Sequence, residues 1–377
     1  MTTDVMTGHS KPLLRDVPVP ELTRLVRDLD EAAYRGDQLA RWLYPDAVWS
    51  WDEMSNLPRR LREALASDHD LRGLQPVERQ VSRDRTRKFL FALRDGHRIE
   101  SVLIPMERHA TFCISSQVGC AMACSFCATA RGGLVRNLTP GEIIEQVLQL
   151  AADLRADPLP GLGDRGHNIV FMGMGEPLDN LEAVASAVAT FADDRGLAIS
   201  PRRITISTSG HAEGLGRLVA SPLTVGLTVS VNSSRPELRR RLMPVPGRTP
   251  LPEILDLAER YARTRRRRAT VAYVLMDGVN DGDGEAAALA RQLVGRPFKV
   301  NLIPLNRIDE RLGPPPDGRI AAFQDRLRES GVETYVRISG GDDIAAACGQ
   351  LRDKRKDGAA RRDDGRGTTG SGDAPAS

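Results

Sequence analysis

Three cysteines in one short stretch, Cys120, Cys124 and Cys127, constrain this chain more than any other feature of its 377 residues. They follow the pattern C-x3-C-x2-C in a predicted loop that begins at residues 117–119. An apolar run, residues 111–116, precedes this loop and has the composition of a buried strand. Three thiolates are one ligand too few for a closed tetrahedral metal site. The spacing therefore favours an iron–sulfur cluster in which one iron stays open to a further ligand.

Two other kinds of site are compatible with the same spacing. A fourth ligand elsewhere in the chain would complete a zinc site, although no His follows at zinc-finger spacing. A ferredoxin-type centre would only carry electrons, although such runs usually continue to a fourth Cys followed by Pro. The residues alone are therefore compatible with a catalytic cluster, a zinc site or an electron-transfer centre.

The composition predicts a cytoplasmic protein without a membrane segment. The chain has five cysteines, an odd number that argues against a secreted disulfide scaffold. Its first residues lack the pattern of a secretory signal, and no stretch of about 18 apolar residues is present. The net charge of +3 is only mildly basic, but arginines cluster at 235–241 and 265–268. Such runs are typical either of a solvated helix face or of contacts to nucleic-acid phosphates.

The chain outside its central part divides into four segments. Residues 1–20 contain three prolines and are expected to be irregular. Residues 21–75 show leucines at helical spacing and predict a small helical module, which packs on its neighbour or grips a substrate. Residues 76–110 predict a connecting β-hairpin that turns at Asp95-Gly96. Residues 352–377 are charged and then rich in Gly, Ser and Thr, which predicts a disordered tail.

Residues 111–351 alternate between apolar strands and helices, which predicts a parallel sheet. The predicted strands are residues 111–116, 168–172, 203–207, 225–231, 270–275 and 300–305, with 333–338 as an extra strand. The predicted helices are residues 140–152, 181–192, 251–263 and 285–293. About six strand–helix units are too few for a complete eight-unit barrel. We therefore expect an α/β fold, a partial (β/α)6 barrel that is open on one side to admit a large substrate.

Small polar residues follow several of the predicted strands. Gly175-Glu176-Pro177 ends an apolar strand, and its glycine lets the backbone approach a ligand while Glu176 is suited to accept from an ammonium group. The other polar residues at the ends of predicted strands or on them are Ser207, Ser230, Asn232 and Asn301. Each alone is typical of an ordinary turn or cap. The carboxyl ends of parallel strands meet at one edge, however, so together these residues predict a nucleoside pocket.

Three further residues are candidates for chemistry. Cys113 lies on the first predicted barrel strand and is not needed as a cluster ligand. Cys348 follows a turn rich in Gly and Asp and precedes Gly349, which predicts a loop position and makes it a candidate nucleophile. A small buried apolar residue is the alternative for Cys348. Glu100 lies on the second hairpin strand, where an exposed carboxylate is the alternative.

Four segments of the chain resemble one known family. They are residues 34–44, 115–129, 172–178 and 341–351. All four are similar to segments of the RlmN/Cfr family of radical S-adenosylmethionine (SAM) RNA adenine methyltransferases, and the similarity covers roughly residues 20–351. The resemblance implies that the helical module at residues 21–75 is of an RNA-binding type. The joint presence of these segments is far more specific than the cysteine spacing alone.

The resemblance implies a [4Fe–4S] cluster held by Cys120, Cys124 and Cys127, with SAM bound to its open iron. The residues implied to bind SAM are Gly175, Glu176, Ser207, Ser230, Val231, Asn232 and Asn301. The family commonly has His where this chain has Asn232, and an Asn side chain can still donate and accept. Cys348 would carry a methyl group, Cys113 would be its redox partner, and Glu100 would accept a proton.

The resemblance also implies a reaction. Carbon 2 of adenine is not a nucleophile, so it cannot attack the methyl group of SAM directly. In the implied scheme one SAM methylates Cys348, and a second is cleaved to a radical that activates this methyl group for addition to the base. Glu100 then removes the ring proton, and a disulfide between Cys113 and Cys348 releases the product. Methylation at carbon 8, as in Cfr-like proteins, would use the same residues and stays open.

The implied partners are 23S rRNA, tRNA and an electron donor such as flavodoxin or ferredoxin. A target base must leave its stack to reach such a site, which is least costly in loops and single strands. This requirement favours phosphate contacts for the two arginine runs.

Overall fold

The computed structural model describes residues 11–160, 166–245 and 248–351. Two predictions concern residues outside these ranges, namely the irregular structure of residues 1–10 and the disordered tail 352–377. Within the ranges described, side chains from the N-terminal helices and from the sheet form one continuous hydrophobic core. No helix in this part of the chain is long and apolar enough to cross a membrane.

Three short helices precede the sheet, as the spacing of their leucines predicts. They are α1 (Leu22–Asp28), α2 (Tyr34–Leu43) and α3 (Arg59–Asp68), and each buries the apolar residues that recur at helical spacing. Pro58 comes directly before α3, where its missing N–H leaves no helical hydrogen bond unmade.

Residues 11–20 differ from the irregular segment that we expected. They contain a 3-10 turn at Leu14–Asp16, in which Arg15 is only 1% exposed. Its guanidinium lies 3.6 Å from the buried carboxylate of Glu145 and donates a hydrogen bond of 2.9 Å to the carbonyl of Val48. A buried charge needs partners of this kind. Because these partners are distant in sequence, local composition did not reveal how firmly the segment is held.

The predicted hairpin is part of a longer antiparallel ribbon. Strands β2 (Arg87–Leu93) and β3 (Arg98–Pro105) pair around the turn at Asp95-Gly96, and β1 (Leu74–Val81) pairs with the other edge of β2. The strand β1 was missed because it is mostly exposed and polar, as edge strands often are. The ribbon is continuous with the main sheet, since β3 pairs with β4 (Ala110–Cys113).

Residues 117–119 form a strand where a loop was predicted. This short strand, β5 (Gln117–Gly119), pairs antiparallel with β6 (Leu134–Asn137) as a separate two-stranded sheet. The cysteine loop lies between these two strands. Its two ends are therefore joined by backbone hydrogen bonds, which limits where the three thiols can lie.

The rest of the sheet is parallel and matches the predicted (β/α)6 barrel. After β4, the strands are β7 (His167–Phe171), β8 (Ile204–Thr208), β9 (Gly226–Ser230), β10 (Ala269–Leu275), β11 (Phe298–Pro304) and β12 (Thr334–Val336). The crossover helices are α4 (Pro140–Ala156), α5 (Leu181–Ala192), α6 (Ala212–Ala220), α8 (Leu251–Thr264), α9 (Asp283–Leu293) and α10 (Asp317–Glu329), and a short α7 (Pro236–Leu242) precedes α8. The helices α6, α7 and α10 were not predicted. The strand β12 is the predicted extra strand, and the ten-stranded sheet runs in the order β1-β2-β3-β4-β7-β8-β9-β10-β11-β12.

Candidate active site

A pocket lies at the carboxyl ends of the parallel strands, where the polar residues of the sequence were expected to meet. It encloses about 1140 Å³ of empty space, counted out to its open mouth. The predicted site residues on its wall are Cys120, Cys124, Cys127, Gly175, Glu176, Ser207, Ser230, Asn301 and Cys348. The structure thus brings nine of the predicted residues to one cavity.

The cysteine loop is fixed by backbone contacts from several parts of the fold. Gly119 has a φ of +77°, and a Cβ atom there would lie 1.9 Å from the carbonyl oxygen of Gly133, so only glycine fits. The backbone N–H of Ser125 donates to Leu242 at 2.9 Å, which ties the loop to the end of α7. The N–H of Ala128 donates to Gly349 at 2.7 Å, which ties it to the segment that carries Cys348.

The three loop thiols suit a cationic cluster. Burial, with smaller contributions from nearby negative groups, raises the pKa of Cys120 to about 12, and burial and the neighbouring cysteines raise the pKa of Cys124 well above its usual value. Thiolates here therefore need a compensating positive charge, which iron supplies. No group of three His, Cys, Asp or Glu side chains in the described ranges could hold a single metal ion as it stands. A [4Fe–4S] cluster does not require this, because each cysteine binds a different iron.

The glycine-rich turn after β7 packs tightly on the chain that leads to the cysteine loop. A Cβ atom on Gly173 would lie 2.7 Å from the backbone of Ile114, and one on Gly175 would lie 2.8 Å from the backbone N of Gln117. Gly175 also has a φ of +106°. Larger residues would push the turn away from the pocket, so both glycines are needed for this close approach.

Glu176 is buried in the wall of the pocket. Its carboxylate accepts hydrogen bonds from the N–H and the hydroxyl of Ser209 at 2.8 and 2.7 Å, and from the N–H of Leu178 at 3.1 Å. Burial raises the pKa of Glu176, and the hydrogen bonds from Ser209 oppose this effect. Ser209 was not predicted, although it follows Ser207 in the same strand-end motif.

Val231 and Asn232 lie behind the wall of the pocket. Both are 0% exposed. The side chain of Asn232 accepts from the N–H of Val274 at 2.7 Å and donates to the sulfur of Met243 at 3.2 Å. The N–H of Val231 donates to Ala272 at 3.0 Å. The structure therefore gives both residues a packing role in addition to the SAM contact that remains a prediction.

A second, smaller cavity adjoins the pocket. Cys113 and Cys348 both line it, and Cys348, Met172 and Arg337 line both cavities. Burial, with a smaller contribution from the neighbouring Cys348, raises the pKa of Cys113 to about 12, and Arg337 opposes this shift. All five cysteines are free thiols in this structure, so the predicted disulfide is not formed here. Arg337 was not predicted, because its place at the end of β12 depends on the sheet.

The segment that carries Cys348 is a compact loop held by the β1–β2 turn. Asp84 accepts from the N–H of Gly341 at 2.9 Å, and the hydroxyl of Ser82 donates to Asp343 at 2.5 Å. Asn306 donates to the carbonyl of Cys348 at 3.2 Å. These contacts place the partly buried thiol of Cys348 at the junction of the two cavities.

Glu100 is buried, which differs from the alternative of an exposed carboxylate. It is 4% exposed and lies on β3, and its carboxylate is 3.2 Å from the ammonium of Lys88 on β2. The backbone N–H of Glu100 contacts the sulfur of Met174 in the glycine-rich turn at 3.4 Å. Lys88 had not been singled out, since a lysine on a hairpin strand carries no recognisable signal.

The two arginine runs lie at opposite ends of the parallel strands. Residues 265–268 join α8 to β10 at the amino ends of the strands, away from the pocket. In this run Arg267 donates to the carbonyl of Thr224 at 3.1 Å, and Arg268 pairs with Glu333. This position does not support the phosphate contacts expected for the run. Arg240 and Arg241 are exposed on α7, which follows β9 at the carboxyl ends of the strands, where the pocket lies.

Two family models and several relatives match this chain. Residues 114–290 match the family model of the radical SAM superfamily, and residues 13–70 match that of the ribosomal RNA large subunit methyltransferase N-terminal domain. The chain is 43% identical over 345 residues to a probable dual-specificity RNA methyltransferase RlmN of Symbiobacterium thermophilum, covering 90% of this chain and 91% of that protein. It is 47% identical to a probable dual-specificity RNA methyltransferase RlmN of Moorella thermoacetica, covering 90% of this chain and 96% of that protein.

A solved structure shows the same fold. The crystal structure of a radical SAM methyltransferase from Sphaerobacter thermophilus matches with a TM-score of 0.85 and 42% identity, over 90% of this chain and 99% of that one. The partial barrel and the three-cysteine loop at its strand ends define a radical SAM enzyme. The chain belongs to the RlmN/Cfr family of radical SAM RNA methyltransferases. Membership implies a [4Fe–4S] cluster and SAM as cofactors and sets aside the zinc site and the simple electron carrier.

Proposed function

We propose that this protein methylates carbon 2 of adenine in 23S rRNA and in tRNA, through a methyl group carried by Cys348 and with two SAM molecules consumed per turnover. The observation that carries the proposal is the place of Cys348. It lines the main pocket together with the three cluster cysteines and shares the adjoining cavity with Cys113. A thiol at this junction is suited to take a group from one cavity and to be attacked from the other.

In this proposal Cys120, Cys124 and Cys127 hold the cluster, and the strand-end residues bind SAM. These residues are Gly175, Glu176, Ser207, Ser230, Val231, Asn232 and Asn301. When bound, the cluster and SAM supply the methyl group and the radical chemistry that activates it. The chain binds and orients these groups in a partly enclosed pocket, and Ser209 holds the Glu176 carboxylate in place.

Cys348, Glu100 and Cys113 act on the base. The methyl carbon of modified Cys348 becomes bonded to the ring carbon, and Glu100 takes the ring hydrogen as a proton. Cys113 then attacks the sulfur of Cys348, so that the bond from this sulfur to the methylene carbon breaks and a disulfide forms. The released carbon takes up the proton that the Cys113 thiol gives up and becomes the methyl group of the product, and the one unpaired electron left by the radical addition would return to the cluster. Two electrons and two protons from an external thiol or protein reductant restore both thiols before the next turnover.

RNA is the proposed substrate because the relatives are named RNA methyltransferases. The exposed Arg240 and Arg241 lie on α7, just before the pocket residue Met243, and are suited to phosphate contacts. The N-terminal helices provide a further surface beside the barrel. We propose a cytoplasmic reaction and an electron donor such as flavodoxin or ferredoxin.

Carbon 8 of adenine is the competing target, and the same residues would serve it. The matching N-terminal domain and the relatives named RlmN favour the RlmN-like activity over the Cfr-like one, and the resemblance assigns carbon 2 to the RlmN-like activity. Nucleoside mass spectrometry decides between the two after RNA is incubated with reconstituted enzyme, SAM and a reductant. We expect 2-methyladenosine in both 23S rRNA and tRNA. Appearance of 8-methyladenosine alone would refute the carbon 2 assignment, and absence of any methylated adenosine would refute the proposed function.

A further inference from the structure

Lys88, Glu100 and Cys113 lie on one face of the antiparallel part of the sheet. Lys88 is directly opposite Val102 in the β2–β3 ladder, and Val102 is directly opposite Cys113 in the β3–β4 ladder. Directly opposite residues point to the same face, as do residues two apart on one strand, so Glu100 shares this face. Ser101 points the other way and donates to Gln146 of α4.

The ammonium group of Lys88 contacts both Glu100 and the loop that carries Cys348. It lies 3.2 Å from the carboxylate of Glu100 and donates to the carbonyl of Ala345 at 3.3 Å. The side chains of Lys88 and Glu100 are only 11% and 5% exposed. A lysine in such a position needs both partners, because a buried ammonium without them is strongly unfavourable.

We infer that Lys88 is a positioning residue, which sets the Glu100 carboxylate at a fixed place relative to the Cys348 loop. This inference rests on the proposed function, in which Glu100 removes the ring proton from a base attached to Cys348. Glu100, the general base, lies on a strand, whereas Cys348, which carries the substrate, lies on a loop. Lys88 is in direct contact with Glu100 and with the loop that carries Cys348. A proton transfer needs the acceptor within hydrogen-bond reach of the proton, and a displacement of about 1 Å lowers rates by about a hundredfold.

The loop has other attachments that do not involve Lys88. Asp84 and Ser82 of the β1–β2 turn hold Gly341 and Asp343. Replacing Lys88 should therefore leave the loop docked and Cys348 at the junction of the cavities. The steps before proton removal should survive, whereas proton removal itself should fail.

The test uses reconstituted holoenzyme, RNA, SAM and a reductant, with the variants Lys88→Met, Lys88→Arg and Glu100→Gln. Lys299→Met is the matched control, because it removes a lysine from β11 of the same sheet. Cluster content, methylation of Cys348 and 5′-deoxyadenosine are measured beside the RNA product and protein–RNA adducts that survive denaturation. Lys88→Met should keep its cluster content, Cys348 methylation and 5′-deoxyadenosine formation. It should lower product formation about a hundredfold and accumulate the same adduct as Glu100→Gln. Lys88→Arg, which keeps the cation, should restore most product formation.

Three outcomes would overturn this role. Product formation by Lys88→Met at the rate of the Lys299→Met control would show that Glu100 needs no positioning. Loss of the cluster or of Cys348 methylation in Lys88→Met would show a general structural role instead. Normal turnover by Glu100→Gln would refute Glu100 as the base, and thereby a step of the proposed function, whatever Lys88 variants do.

Discussion

The candidate active site has a cluster end, formed by the three loop cysteines, and a thiol end, formed by Cys113, Cys348 and Glu100. The two are positioned in different ways. At one end, the three cluster cysteines belong to a single loop between β5 and β6. At the other end, Cys113, Cys348 and Glu100 come from a central strand, a C-terminal loop and an antiparallel strand. The first end is held mainly by backbone contacts around one loop, and the second depends on the register of β2, β3 and β4.

This difference has a chemical counterpart in the proposed reaction. The cluster end binds cofactors, and its geometry has to be correct for every step. The thiol end handles the methyl group and the proton, and its residues act in successive steps. Changes at the cluster end should therefore abolish all chemistry, whereas changes at the thiol end should stop the reaction at particular stages.

The largest effect is expected when a cluster cysteine is removed. Cys124→Ala leaves two thiols in the loop, so the cluster should be lost and no 5′-deoxyadenosine, methylated Cys348 or methylated RNA should form. Cys348→Ala should lose RNA methylation but keep the cluster, because Cys348 is not among the three proposed ligands. Iron and sulfide analysis of anaerobically purified proteins checks both expectations. An intact cluster in Cys124→Ala, or its loss in Cys348→Ala, would contradict the separation of the two ends.

Replacing Cys113 should stop the reaction at one late stage. Cys113→Ala should still bind the cluster and methylate Cys348, but it lacks the thiol that displaces the product. RNA should then stay attached to Cys348 through a methylene bridge. A gel shift that survives denaturation and disappears on RNase treatment measures this adduct. Normal turnover by Cys113→Ala would mean that Cys113 is only a buried strand residue.

A backbone change should affect the cluster end without touching a thiol. Gly119→Ala requires an alanine at a φ of +77° with its Cβ atom 1.9 Å from a carbonyl oxygen, so the ends of the cysteine loop must shift. We expect cluster content after reconstitution to fall several-fold. Gly132→Ala is the matched control, because a Cβ atom there meets nothing within 4 Å. Equal cluster content in the two variants would show that the loop tolerates this shift.

The smallest effect on chemistry is expected at the amino end of β7, opposite the strand ends that form the pocket. Burial, together with the positive charges of Arg203 and Arg155, lowers the pKa of His167 to about 4. The unfolded chain takes up a proton near pH 6.5, so this contribution to stability is complete above pH 6.5 and is lost as the pH falls towards 4. It amounts to about 3 kcal/mol at most, at about 1.4 kcal/mol per pKa unit.

His167→Phe removes this titration and retains the stacking of the ring on Phe112, whose centroid is 4.1 Å away. Urea denaturation at pH 7 and at pH 4.5 compares the two proteins. The free energy of unfolding of the native protein should fall further with pH than that of the variant, while RNA methylation at pH 7 stays unchanged. The same pH dependence in both proteins would contradict the depressed pKa of His167.

The sequence by itself determined the features that depend on neighbouring residues. Strand–helix alternation predicted the (β/α)6 barrel, and most strands lie within a few residues of their predicted positions. The spacing of Cys120, Cys124 and Cys127 predicted a cluster loop, and glycine-rich turns marked the strand ends. These features follow from local periodicity and backbone sterics, which a short stretch of residues carries in full. The roles of the individual site residues remain predictions.

Only the tertiary structure decided how distant residues meet. It brought Cys113 and Cys348 to a shared cavity and gave Glu100 a buried partner in Lys88. It also placed the arginines at 265–268 at the amino ends of the strands, away from the pocket. It also placed Val231 and Asn232 behind the pocket wall. Strand register and the docking of the C-terminal loop set these relations, and both arise from contacts between residues that are far apart in the chain.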